Sequence, residues 1–245
     1  MSLDRELLRA PNPQEFDGKV VLITGGSSGI GAATEQLFVK QNAFPIVLDK
    51  FFPAGTTNYE GAIIPCDISD WRQVEHAVTS AADIRGRLDV VVNNAAIKVP
   101  GSILDISAYD LERMVLNNGL GMIYVAKAFL PHLVNWQGVL INVCSGESED
   151  LPPNTDGYFA SKGVSVSLTY ALNASFRDRG VRVVGIAPGP VDTPLWRTGQ
   201  TEERIKAALE GRRGPTVLQP LDVANQIIRL ASVNNAHLTG KIYRM

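Results

Sequence analysis

Lys19-Val-Val-Leu-Ile-Thr-Gly-Gly-Ser-Ser-Gly-Ile-Gly31 sets a short β-branched apolar run directly against a cluster of glycines. The residues that follow, up to Gln41, space Ile30, Ala33, Leu37 and Phe38 at helical intervals. The reading is strand, tight turn, helix. Outward from there the alternation returns. Pro45–Asp49, Ala62–Pro65, Leu88–Asn93, Val139–Val143, Val181–Ile186 and Lys241–Tyr243 read as strands, with helical patterns in most of the gaps, giving seven strands in all. These are continuous apolar runs rather than in-and-out alternations, so both sheet faces must be covered. Strands alternating with helices then predict a parallel sheet with right-handed crossovers. The expected fold class is α/β, a single doubly wound domain.

Composition narrows the function classes. The chain has 245 residues, 45% hydrophobic and 20% charged, in the range of an ordinary globular protein. A net charge of -2 without long runs of one sign argues against a nucleic-acid partner or a polybasic membrane patch. Cys66 and Cys144 are too few for a disulfide framework or a Cys-rich zinc site. His76, His132 and His237 are dispersed without ligand spacing, so no metal site is expected. Residues 1–16 alternate acid and base before Pro11 and Pro13 and lack the apolar stretch of a signal peptide; they read as a polar N-terminal extension to a domain over 17–245, in a cytoplasmic protein. Leu116–Val134 has membrane-like length, but Asn117, Asn118, Lys127 and His132 interrupt it, and it reads as a buried helical segment. The longest break in the alternation, Ala187–Gln219, holds a short helical pattern near Glu202–Glu210 and reads as a lid or binding loop.

The glycines lie on the first strand-to-helix turn. There a backbone without side chains lets a pyrophosphate approach, and the following helix offers unpaired N–H groups and its positive dipole end. Asp49 ends the second strand, 18 residues beyond Gly31, near the offset of an acid that accepts hydrogen bonds from adenosine ribose hydroxyls. A carboxylate there repels a 2′-phosphate. Lys50 would favour that phosphate, yet the loop itself offers only Ser27 and Ser28, so the expectation is NAD rather than NADP. Asp67 at the end of the third strand is placed to meet the adenine amino group. Asn93-Asn94-Ala95-Ala96 leaves small side chains where a cofactor must pass.

Tyr158 and Lys162, four apart at the start of a helical pattern running to Arg177, project from one face. A free phenol is a poor base at neutral pH, and a nearby ammonium favours its phenolate. Ser145 ends a strand, where open α/β sheets place their ligands, and its hydroxyl would donate to a substrate oxygen. No Gly-x-Ser-x-Gly elbow surrounds it, which speaks against a serine hydrolase.

The glycine loop, Asn93-Asn-Ala-Ala96, Asn118, Ser145, Tyr158-Phe-Ala-Ser-Lys162 and Pro188-Gly-Pro-Val-Asp-Thr193 together resemble the short-chain dehydrogenase/reductase family, in order and spacing, over roughly Lys19–Gly240. The resemblance implies a Rossmann-type domain that interconverts a secondary alcohol and a ketone or aldehyde with NAD. In the implied tetrad Tyr158 exchanges the proton, Ser145 polarises the reacting oxygen, Lys162 lowers the tyrosine pKa and binds the nicotinamide ribose, and Asn118 holds a relay water. Asn118 is preferred to Asn117 because it stands three before Gly121. The implied cofactor contacts are Gly25, Ser27, Ser28, Gly29, Ile30, Gly31, Asp49, Asp67, Ile68, Asn94, Ala95, Tyr158, Lys162, Pro188, Gly189, Val191 and Thr193. The family's usual Asn-Asn-Ala-Gly ends here in Ala96, a small-for-small exchange. An NADP-dependent ketone or imine reductase and a non-catalytic NAD(P)-binding scaffold are the alternatives.

Around this centre, Glu147, Glu149, Asp150 and Asp156 read as a solvated loop at the mouth. Leu195 and Trp196 are candidates for an apolar lid wall, and Arg212-Arg213 for an anion contact. The partner expected is a small alcohol or carbonyl compound, with no nucleic acid and no membrane. The apolar load of Leu111–Val134 and Tyr158–Arg177 suggests a homo-oligomer, a dimer or, by the family likeness, a tetramer.

Overall fold

The computed structural model describes residues 8–52, 61–145, 152–212, 214 and 216–245. Seven strands form one sheet: β1 (Val20–Thr24), β2 (Phe44–Asp49), β3 (Ala62–Pro65), β4 (Val90–Asn93), β5 (Val139–Val143), β6 (Arg182–Ala187) and β7 (Ile242–Arg244). Their order is β3-β2-β1-β4-β5-β6-β7, and every pairing is parallel. Each predicted strand is present, its ends shifted by at most two residues.

Alternation along a strand explains why continuous apolar runs were needed. Val21 and Ile23 of β1 enter one core with Phe38, Val223 and Ile227, while Val20 and Leu22 enter another with Val74, Val125 and Phe129. The first core lies under α1 (Gly29–Lys40) and α8 (Pro220–Ala231), which pack on each other. The second lies under α2 (Trp71–Arg85), α4 (Met122–Trp136) and α5 (Asp156–Phe176). A π-helical segment, Val115–Gly121, joins α3 (Ala108–Met114) to α4. Among the described residues no helix is long and apolar enough to cross a membrane.

Residues 8–16 lie against this framework. Leu8 and Phe16 are buried in the first core, and the Phe16 ring meets Phe38 edge-on at 5.1 Å. Glu15 accepts hydrogen bonds from the Val233 N–H (2.6 Å) and the Ser232 hydroxyl (2.8 Å), and Arg229 donates to the Leu8 carbonyl (2.8 Å).

Because β1 has β2 on one side and β4 on the other, the sheet reverses its winding between β1 and β4, and a crevice opens at their carboxyl ends. The excursion from Ala187 to Gln219 hangs over that end. It carries α6 (Pro194–Arg197) and α7 (Glu202–Leu209), the second where the helical pattern predicted one, and pairing of Val191 with Leu218 closes it.

Candidate active site

The β1–α1 turn is shaped by steric necessity. Gly25 has φ +66°, and a Cβ there would stand 2.8 Å from the Ala95 Cα. A Cβ on Gly31 would lie 2.1 Å from the Gly25 carbonyl oxygen. Ser28, the N-cap of α1, makes no side-chain capping bond, so among the described residues the N–H groups at Gly29, Ile30 and Gly31 have no side-chain acceptor. At the rim, a Cβ on Gly29 would lie 3.0 Å from Thr193 Cγ2, so the loop and the lid segment face each other closely.

Asp49 reaches back to this turn. Its Oδ2 accepts from the Ser27 N–H at 3.0 Å and from the Ser27 hydroxyl, and its Oδ1 accepts from the Phe51 N–H at 3.1 Å. Beside it the Lys50 ammonium is paired with Asp67 at 2.5 Å. Burial works to raise the Asp67 pKa, but hydrogen bonds from Lys50 and Ser69 overcome it and leave the carboxyl below its ordinary value. Ile68 turns its side chain into the second core against Gly121.

Thr24 and Asn94 stitch the crevice together. Thr24 Oγ1 accepts from the Asn94 and Ala95 N–H groups (2.9 and 3.0 Å), and the Asn94 amide donates to the carbonyls of Thr24 (2.9 Å) and Gly25 (3.1 Å). In the lid segment the Thr193 hydroxyl caps α6 by accepting from the Trp196 N–H (3.1 Å). Asp192 and Arg197 form a two-pronged ion pair (2.6 and 2.9 Å) across the same turn.

Tyr158 sits in the first turn of α5, with Lys162 one turn on. A Cβ on Gly157 would come within 2.6 Å of Leu111, so glycine lets this helix start close to α3. Burial raises the Tyr158 pKa, and a hydrogen bond with Ser145 at the end of β5 opposes the rise. Lys162 is 2% exposed, and its Nζ donates to the Val143 carbonyl at 2.6 Å. Burial pushes its pKa down to about 8 against a smaller upward pull from Cys144.

Asn118 is fully buried in the π segment. Its Oδ1 accepts from the Ile97 N–H (2.8 Å) and the Asn117 amide (3.1 Å), while its Nδ2 donates to the Ile97 carbonyl (2.8 Å) and Ser161 Oγ (2.9 Å). That exhausts the side chain's hydrogen-bonding capacity. The side-chain amide therefore has no site left for a water, and a water at this residue would have to meet its backbone. Ser161 passes the connection on by donating to the Tyr158 carbonyl at 2.6 Å.

The structure thus brings Ser145 and Tyr158 into contact, seats Lys162 one helical turn on against the Val143 carbonyl, and ties Asn118 to Tyr158's helix through Ser161. Thr24, Ile97, Asn117, Ser161 and the Val143 carbonyl were not given site roles from the sequence, although Thr24 and Ser161 lie within the quoted motifs and Asn117 was weighed against Asn118. Asp156 accepts from the Ile103 N–H (2.8 Å) and Arg212 pairs with Glu210, whereas Glu147, Glu149, Asp150 and Arg213 lie outside the described residues.

Comparison with known proteins gives concordant matches. A family model described as short chain dehydrogenase matches residues 19–204. The Bacillus subtilis (strain 168) protein named uncharacterized oxidoreductase YhdF is 37% identical over 93% of this chain and 82% of its own length. Mouse (Mus musculus) L-fucose dehydrogenase is 34% identical over 89% of this chain and 81% of its own. Among solved structures, the 3-ketoacyl-(acyl-carrier-protein) reductase of Brucella melitensis complexed with NADH superposes with a TM-score of 0.84 and 28% identity, covering 94% of this chain and 97% of that one.

Proposed function

This chain belongs to the short-chain dehydrogenase family and is an oxidoreductase, and from that premise we propose that it interconverts a secondary alcohol and its ketone or aldehyde with NAD. The observation that carries the reading is the Tyr158 hydroxyl hydrogen-bonded to Ser145, one helical turn from a fully buried Lys162.

The crevice fits a dinucleotide on grounds of its own: the turn packs so tightly on itself and on Ala95 that Gly25 and Gly31 admit no side chain, which leaves bare backbone at the start of α1, where, among the described residues, the first N–H groups lack side-chain acceptors. Gly25, Ser27, Ser28, Gly29, Ile30 and Gly31 would hold the pyrophosphate, and Asp49 the adenosine ribose. Asp67, Asn94, Ala95 and the backbone of Ile68 would line the adenine side; Lys162, Pro188, Gly189, Val191 and Thr193 would take the nicotinamide end. NAD is favoured over NADP because Asp49 presents a carboxylate at the loop while Lys50, the nearest cation, is engaged by Asp67. Bound there, the nicotinamide ring would supply or take up the hydride.

The chain's own residues handle the proton. In oxidation the alcohol O–H proton passes to the Tyr158 oxygen as the C–H electron pair leaves with the hydride; in reduction Tyr158 returns it to the carbonyl oxygen. Ser145 donates to that oxygen and fixes its distance from the phenol. Lys162 spends one N–H on Val143 and has two others, and its positive charge offsets the cost of forming phenolate in a buried place. With the Asn118 amide saturated, a relay water would lean on backbone carbonyl in the widened π turn. No step calls for a protein-bound metal. Residues 17–245 serve as one cofactor-binding domain carrying this site, in the cytoplasm. Exposed Val115, Leu116, Ile123 and Tyr170 on the helices flanking the site favour a homo-oligomer.

The test is the shift of unfolding temperature with saturating NAD and, separately, NADP, followed by turnover of secondary alcohols. A larger shift with NAD together with alcohol oxidation is expected. A larger shift with NADP overturns the cofactor assignment, and binding without turnover of any alcohol or ketone overturns the enzymatic one.

A further inference from the structure

The loop from Ile97 to Ile103 is pinned along its length. Ile97 exchanges two hydrogen bonds with Asn118, Val99 N–H donates to Met114 Sδ (3.4 Å), Gly101 N–H to the Asn154 carbonyl (2.8 Å) and Ile103 N–H to Asp156 (2.8 Å), two residues before Tyr158. It therefore forms a fixed wall from Asn118 to the foot of the Tyr158 helix. Opposite stands the lid segment, and the two walls meet again where a Cβ on Gly199 would be 2.5 Å from Pro100.

Lys98 is the only charged residue of that loop. Its side chain crosses to the lid, where Nζ lies 3.5 Å from the Trp196 carbonyl, the limit of a hydrogen bond. That carbonyl already accepts from Gln200 at 2.6 Å. Lys98 is half-buried, and among the described residues no carboxylate forms an ion pair with it. Burial holds its pKa below the ordinary lysine value. An ammonium drawn partly out of water without a counter-charge carries a desolvation cost that an anion would offset. The neighbouring Leu195 and Trp196, also half-buried, restrict water at the same place.

We propose that Lys98 is a specificity-determining residue that receives an anionic group, carboxylate or phosphate, on the substrate whose carbinol meets Tyr158 and Ser145. The proposal rests on the oxidoreductase reading above and adds the substrate class. Neutral hydroxyls would give Lys98 only uncharged acceptors, with roughly half the strength of charge-assisted bonds.

The experiment measures binding first. With the enzyme saturated in NADH, unfolding temperatures are recorded with matched neutral and anionic compounds: galactose, galacturonate and galactose 6-phosphate, and 3-hydroxybutyramide against 3-hydroxybutyrate. Wild type is expected to be stabilised more by an anionic member than by its neutral partner. The galacturonate and 6-phosphate arms tell carboxylate from phosphate. Lys98→Met should weaken the anionic arm by about tenfold or more in Kd and the neutral arm by less than about threefold, with Lys98→Arg restoring part of the preference. In turnover the loss should fall on KM rather than kcat. Equal or better stabilisation by the neutral partners, no stabilisation by any anion, or an equal effect of Lys98→Met on both arms overturns the proposal. Turnover confined to neutral alcohols would leave the oxidoreductase reading standing without Lys98's role, whereas absence of NAD(H) binding would remove both.

Discussion

Asp49 closes back on Ser27, one carboxylate oxygen accepting both the main-chain N–H and the hydroxyl of that residue. The bond fixes the loop's shape and places negative charge where a 2′-phosphate would have to enter. Asp49→Ser is expected to shift the ratio of NADP to NAD affinity by about tenfold to a hundredfold toward NADP, the worth of one charge-assisted hydrogen bond and the repulsion it replaces. Titration of each cofactor by fluorescence checks it; an unchanged ratio would mean that the carboxylate only shapes the loop.

Tyr158→Phe removes the hydroxyl bonded to Ser145 and little else. Turnover should fall by about 10²- to 10⁴-fold, the span of a lost general acid–base group, while the thermal shift produced by NAD stays within experimental error. A variant that kept most of its turnover would assign proton exchange to another residue.

Lys162 ties stability to pH. Its pKa falls from 10.5 unfolded to about 8 folded, so between these values the unfolded chain binds more protons and stability rises with pH. Relative to Lys162→Met, wild type should gain up to about 3 kcal/mol between pH 8 and 10.5, at about 1.4 kcal/mol per unit. The comparison cancels the opposite trend from Cys66 and Tyr243, whose pKa values burial raises to about 12. Chemical denaturation across that range measures it, and a flat difference would place the Lys162 charge elsewhere than in the burial described.

Gly31→Ala puts a methyl group against the Gly25 carbonyl, which is backbone, and the Asn94 amide, which its hydrogen bonds to Thr24 and Gly25 hold in place. Destabilisation of about 1–3 kcal/mol, as for overpacked sites, should accompany loss of cofactor-induced thermal shift. Normal stability with normal binding would show the turn to be more pliant than its bonding indicates.

The strands were legible because each carries apolar residues on both faces, a pattern that survives without tertiary information; Val20 and Val21 entering opposite cores is the clearest case. The motif-bearing residues were legible because their chemistry is tied to short spacings, as between Tyr158 and Lys162. What escaped the sequence depends on distant partners. Nothing in the order of residues says that the Asn118 amide is saturated by Ile97, Asn117 and Ser161, and the π turn around it has the same composition as a helix. The same holds for residues 8–16: charge alternation reads as a solvated leader, while Leu8 and Phe16 are apolar points that only the packed fold accounts for.

The bonds that seat this early segment come from the other end of the chain: Glu15 needs Ser232 and Val233, and the carbonyl of Leu8 needs Arg229. During synthesis these early residues emerge long before their anchors exist, so the face of α1 around Phe38 stays uncovered until α8 and the turn after it have left the ribosome. The first core therefore closes only after α8 and Val233 are free to fold, even if the β1–β4 half docks sooner. Any fusion or cleavage that holds back the last helix would leave that face open to chaperones.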